Sequence, residues 1–256
     1  MIYQYSFPFG ISNLEITSEK AISKSILELI EDLILLLKHE LNNNIPESSA
    51  NRLEKSNIGI PVFVNPIFLD YFNLVLEISK KNPELKLIKS KVAPEEAYIL
   101  SNIDNAIIKL TETSLNSAKL YKYFAIENII KILEYDKKIN YLITYENINA
   151  TFSGKYLWKS RFHSVFLKRD IEFKFQNKFA LFEPVEIKEI FQEKFATIDE
   201  KIKLAELILF GDSLINLNLL KHKFIKNYYL NDFKEFTKFH NLNAILITEE
   251  KKIISI

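Results

Sequence analysis

Apolar residues recur along the chain at two spacings, and the change from one to the other outlines its elements. Leu120, Tyr123, Phe124, Ile126, Ile130 and Leu133 fall at three- and four-residue intervals, which predicts an amphipathic helix within Asn116 to Lys159. Asp136, Lys137 and Lys138 break that pattern. The following run, Ile139 to Tyr145, is short, apolar and rich in β-branched and aromatic residues, which predicts a strand with a second strand after it.

Upstream, Tyr3 to Thr17 alternates loosely around Pro8 and Gly10, predicting two strands and a turn, with Ser12 to Ile16 as the second strand. Thr17 or Ser18 is placed to cap a helix whose apolar face is Ile22, Ile26, Leu29, Ile30, Leu33, Leu36 and Leu37, ended by Asn42 to Asn44 and Pro46. Pro46 to Asn57 is polar, and Gly59 to Val64 reads as a short strand or turn. Asn65 then caps a helix with Pro66 in its first turn, and Phe68, Tyr71, Phe72, Val75, Leu76 and Ile78 form its buried face. Leu85 to Val92 suits a short strand. Pro94 to Lys109 reads as a helix with Tyr98, Ile99, Ile103, Ile107 and Ile108 inward.

Later strands are predicted at Trp158 to Phe166, Asp170 to Phe175, Phe179 to Phe182 and Glu193 to Thr197. Asp199 is positioned to cap a helix from Glu200 to Leu209 or beyond, Asp232 to Phe239 forms another, and Ala244 to Thr248 with Lys252 to Ser255 make a terminal hairpin. No repeat, low-complexity segment or linker divides the 256 residues. The expected organisation is a single α/β (α+β) domain over residues 1–256, with antiparallel or mixed sheets covered by long helices.

Composition removes several kinds of chemistry. The absence of cysteine from these residues excludes a disulfide, a thiolate metal site, a cysteine nucleophile and a lipidated lipoprotein cysteine among them. A net charge of +1 provides no overall field for nucleic acid, and none is expected as a partner. The first ten residues lack the basic and apolar regions of a signal peptide, and no apolar run has the length of a membrane span, so a cytoplasmic location is expected. Four glycines stand where an average composition of about 7% would place roughly 18. No glycine-rich phosphate loop can be assembled from them. The four histidines, His39, His163, His222 and His240, have no partners at metal-ligand spacing.

Several segments, taken in order, resemble the FAD:protein FMN transferase (ApbE) family. ANRLEK, PVFVNPIFLDYFNLVLEIS, SAKLYKYFAIENIIKIL and INYLITYENI are similar to its SxxSRLN segment, the helix ending in a LEIS-like sequence, its GGxAKGYAxD helix start and its strand ending in NxGGD. SFPFGISNLEIT resembles its opening strand, KIKLAELILF its late ADALxT segment, and ALFEP its HIIDP. Members bind FAD and magnesium and move FMN onto a Ser or Thr hydroxyl of a target protein. The resemblance therefore implies an ApbE-like domain in which Ser49, Arg52, Lys119 and Tyr121 contact the cofactor, Glu206 holds the metal and Glu183 assists catalysis.

The departures point the other way. The glycine pairs are replaced by Asn116 and Ser117 and by Glu146 and Asn147, the histidine of HIIDP by Ala180 and the threonine of ADALxT by Phe210. The resulting expectation is a degenerate relative without flavin transfer and without a required cofactor, whose scaffold serves a protein partner or a ligand. The alternative is an active, magnesium-dependent transferase with a divergent site, using FAD and Mg2+.

Overall fold

In the computed structural model the described residues are 1–116, 118–135, 140–152, 158–174, 179–184, 204–225 and 230–256. They form two compact units, Met1–Ser23 with Leu133–Ile256, and Lys24–Ile132. The architecture is α+β, with six helices among the described residues and antiparallel pairing between all described strands. No helix among these residues is long and apolar enough to cross a membrane.

The first unit is built on one sheet. Its strands are β1 (Tyr3–Phe9), β2 (Ser12–Ser18), β8 (Tyr141–Tyr145), β9 (Ile148–Phe152), β12 (Phe179–Pro184), β13 (Leu204–Gly211), β14 (Asn243–Thr248) and β15 (Ile253–Ser255), side by side in that order. The first hairpin turns at Gly10, whose φ of +65° favours glycine and where a Cβ would stand 3.0 Å from the Tyr145 hydroxyl. A separate hairpin, β10 (Lys159–Ser164) with β11 (Arg169–Lys174), alternates exposed and buried residues along β10. Its Phe162 joins Ala180, Phe182, Ile208 and Phe210 in a buried cluster. The helices α5 (Leu214–Ile225) and α6 (Leu230–His240) complete this unit, and Phe224 of α5 meets Phe233 of α6 at 4.9 Å between ring centroids.

The second unit carries α1 (Lys24–Glu40), α2 (Ser49–Lys55), α3 (Pro66–Lys81) and α4 (Ala118–Leu133, whose last residue begins the other unit). Beside them lie a three-stranded sheet in the order β3 (Pro61–Phe63), β6 (Ala106–Lys109), β5 (Tyr98–Ser101), and the pair β4 (Ile88–Ser90) and β7 (Thr113–Leu115). Buried Phe68, Tyr71, Phe72 and Val75 of α3 form its centre, with the Tyr71 ring edge-on to Phe124 of α4 at 5.2 Å. The expected α4 stripe is buried at every position from Leu120 to Leu133. Asn65 caps α3 by accepting the Ile67 N–H at 3.0 Å, with Pro66 at the helix start as expected.

Four expectations are corrected. Pro94 to Lys109 is not an α-helix but a 3₁₀ turn at Pro94–Glu96, then β5, a turn and β6. The Ser101 hydroxyl donates to Asp104 at 2.8 Å and accepts the Asp104 N–H at 3.3 Å, and Asn105 takes a φ of 48°. This turn chemistry outweighs the helical spacing of the isoleucines, of which Ile103 sits exposed at the tip. Residues 204–209 form β13 instead of a helix. Every position from Leu204 to Gly211 is buried, and such a run has no alternation to mark it as a strand. Strand β2 extends through Ser18, so neither Thr17 nor Ser18 caps α1, which begins at Lys24. Leu29 and Leu36, expected on the buried face of α1, are exposed, while Ile30, Ile34 and Leu37 are buried.

The polar stretch after Pro46 contains a helix, α2, and α5 has no counterpart in the expected elements. The strand expected at Glu193 to Thr197, the Asp199 cap, Phe175 and the break at Asp136 to Lys138 lie outside the described residues. Replacing Asn65 with Ala removes the α3 cap and is expected to cost about 1 kcal/mol. Denaturant unfolding should show this as a lower midpoint at unchanged slope.

Candidate functional site

Of the residues assigned to the cofactor, Ser49 is the most fully described. It is the first residue of α2, completely buried, and stands where the end of α1, the start of α2 and the start of α3 meet. Its hydroxyl donates to Glu40 Oε2, its backbone N–H donates to the same oxygen at 3.1 Å, and its Oγ accepts the Asn65 N–H at 3.0 Å. The single O–H of this serine is therefore spent on Glu40. Next to it, Ser48 caps α2 by accepting the Asn51 N–H at 3.0 Å and donates to the Asn42 carbonyl at 2.7 Å.

Glu40, absent from the sequence expectations, is the carboxylate that holds this junction. Burial alone would raise its pKa. The Ser49 hydroxyl, the His39 ring, whose Nδ1 lies 2.9 Å from Oε1, the Ser49 N–H and the His39 charge outweigh burial and hold the group below its ordinary value. One sequence signal could have found it. Glu40 falls three residues after Leu37, on the apolar stripe of Ile30, Ile34 and Leu37, where a solvated carboxylate has no reason to be.

Arg52 is exposed on α2, one turn beyond Ser49, and pairs with no carboxylate among the described residues. Lys119 lies in the first turn of α4. Tyr121, two residues on, is half-buried, and burial pushes its phenol up to about 12. Tyr123 and Phe124, in the same aromatic run, are both buried, and Phe124 packs on Tyr71. Tyr121 is the member of that aromatic run left with exposed surface.

In the other unit, Glu183 is on β12 and Glu206 on the neighbouring β13, but they are one step out of register. In the backbone register Glu183 is opposite Leu207, and Glu206 is opposite Pro184. Glu206 is 1% exposed. Its Oε2 accepts the Ser164 hydroxyl and its Oε1 accepts the Phe166 N–H at 3.0 Å. No group of three or more His, Cys, Asp or Glu side chains converges on a cation position among the described residues. The β8–β9 turn consists of Glu146, with a φ of 48°, and Asn147. The Asn147 side chain donates to the Phe182 carbonyl at 2.7 Å, and its own carbonyl accepts the Phe182 N–H at 2.9 Å.

These arrangements test the fit of the expected cofactor and metal. The Ser49 hydroxyl and both Glu206 oxygens already have protein partners, Asn147 is tied to β12, and Arg52 remains open to an anion. The donor set does not fit FAD with magnesium as the resemblance distributes it.

No protein-family profile and no curated protein matches this sequence. Solved structures do match. The apo flavinyl transferase ApbE of Pseudomonas stutzeri superposes with a TM-score of 0.68 at 10% identity, over 100% of this chain and 94% of that one. The ApbE protein of Thermotoga maritima gives 0.66 at 10% identity, over 100% and 97%. Flavin transferase ApbE of Vibrio cholerae gives 0.63 at 11% identity, over 100% and 96%. The chain is similar to these proteins along its whole length, and its fold is ApbE-like.

Replacing Ser49 with Ala leaves the buried Glu40 carboxylate and the Asn65 N–H each short of a partner, with an expected cost of about 2 to 3 kcal/mol. Its pH dependence follows from the sign of the Glu40 shift. A carboxyl depressed on folding contributes stability that is complete above its ordinary value of 4.5 and is lost as pH falls through the lower folded-state value. Acid titrations of unfolding should show a shallower loss in S49A than in the wild type.

Proposed function

We propose that this chain, whose fold is that of the ApbE flavin transferases, has kept their scaffold without flavin transfer and uses it to hold a protein partner or a ligand. The observation that carries this reading is the β8–β9 turn. Where the resemblance calls for two glycines, Glu146 and Asn147 stand, and Asn147 is bound through both its side chain and its carbonyl to Phe182. Paired glycines let a pyrophosphate approach backbone amides, whereas side chains keep it away and a carboxylate repels it. The engaged hydroxyl of Ser49 supports the same conclusion. Matches that run the length of the chain support reading its two units as parts of one ApbE-like domain.

A second reading has one observation in its favour. Arg52 is exposed and without a carboxylate partner among the described residues, as a residue that receives a phosphate would be. In this reading Arg52, Lys119 and Tyr121 contact FAD, Glu183 assists, and magnesium is bound. If FAD binds, it supplies the FMN moiety, and the chain's part is to position it.

Incubation with FAD, magnesium and a flavinylation-target domain, followed by mass analysis of the target, separates the two. The expected result is an unmodified target. FMN on a Ser or Thr of the target would establish the second reading. Calorimetric titration with FAD adds a check on binding alone, and no heat is expected up to high micromolar ligand.

A further inference from the structure

The resemblance gives Glu206 to a metal, but its surroundings in this chain offer another partner. Strand β13 is central in its sheet, between β12 and β14. Its pairing with β14 shifts register between Leu204, opposite Thr248, and Glu206, opposite Ile247, so β13 has one residue more than its partner there. Irregularities of this kind re-aim a side chain. The carboxylate so placed meets the tip of the β10–β11 hairpin. Ser164, the last residue of β10, is completely buried and donates its hydroxyl to Oε2, while the Phe166 N–H in the turn reaches Oε1 at 3.0 Å. The Ser164 Oγ in turn accepts the Leu167 N–H at 2.9 Å. Three donors at one end of the hairpin are thus satisfied by a single buried network.

The rest of the hairpin is held by rings. Phe162 stacks on Phe182 of β12 at 5.1 Å and on Phe173 of β11 at 5.4 Å, and Phe173 meets Phe210 of β13 edge-on at 5.3 Å. On the outer side are exposed pairs, Arg161 with Glu172 and His163 with Asp170, which contribute little in water. The hairpin therefore has an aromatic face against β12 and β13 and one polar anchor, Glu206.

We infer that Glu206 latches the β10–β11 hairpin onto the β12–β13 face and is not a cation ligand. Magnesium requires roughly six oxygens in near-ideal octahedral geometry and sheds its water reluctantly. A carboxylate that is 1% exposed, with a hydrogen bond to each oxygen, would have to surrender the hairpin to accept it. Phe210, four residues along the strand where the resemblance places a threonine, adds a ring to the closed face instead of an oxygen. The inference stands whichever reading of flavin transfer holds, because it concerns this carboxylate alone.

Hydrogen exchange on the full chain, with and without millimolar magnesium, tests it in the wild type, Glu206→Leu and Ser164→Ala. In E206L the amides of Phe166 and Leu167 should exchange about ten- to a hundredfold faster, as expected for loss of a charge-assisted hydrogen bond. In S164A the Leu167 amide should lose protection while the strands of the main sheet keep theirs. Magnesium should leave wild-type exchange and Tm unchanged. Wild-type protection of Phe166 in E206L would overturn the latch, as would magnesium slowing exchange at Phe166 in the wild type but not in E206L. Should E206L fail to fold, S164A decides, and unchanged protection of Leu167 there would overturn the inference.

Discussion

A carboxylate taken out of water must be met by donors or a cation, and this chain does so at two places with a serine. Glu40 receives the hydroxyl and N–H of Ser49, and Glu206 receives the hydroxyl of Ser164 and the N–H of Phe166. Each network joins segments that local propensity leaves independent. The first sets the end of α1 against the starts of α2 and α3. The second fastens a hairpin to the sheet from which it departs. Exposed ion pairs such as Lys24 with Glu28 and Lys81 with Glu77 decorate helices and join nothing.

The same economy shapes the functional reading. Two residues that the resemblance assigns to cofactor and metal, Ser49 and Glu206, hold segments of the fold together. Ser49 and Glu206 are buried and occupied, and Asn147 secures the β8–β9 turn to β12. Groups with satisfied hydrogen bonds must break them before they can bind anything else, and in a buried setting that cost is large. Arg52 is exposed and Tyr121 half-buried.

Elements specified by neighbours in sequence were legible from sequence. The α3 start needs only Asn65 and Pro66, the α4 stripe only its own spacing, and the terminal hairpin only two short apolar runs around a polar turn. The resemblance, spread over weak fragments, also led to the right fold, because fragment order along the chain survives when identities do not. The helix expected at Pro94 to Lys109 failed at Ser101 to Asn105, where side-chain hydrogen bonds stabilise a turn that apolar spacing does not reveal.

By itself the sequence determined the Asn65 cap of α3, the buried stripe of α4, the absence of cysteine and of a glycine-rich phosphate loop, and the side chains that stand where the resemblance calls for glycines. Tertiary structure alone decided that Leu204 to Gly211 is a strand, since burial on both faces erases the alternation that would announce one. It also decided what Ser49 and Glu206 do. The partners of those residues, Glu40 and Ser164, lie nine and forty-two positions away, and a hydrogen bond between distant side chains has no period in the sequence from which it could be read.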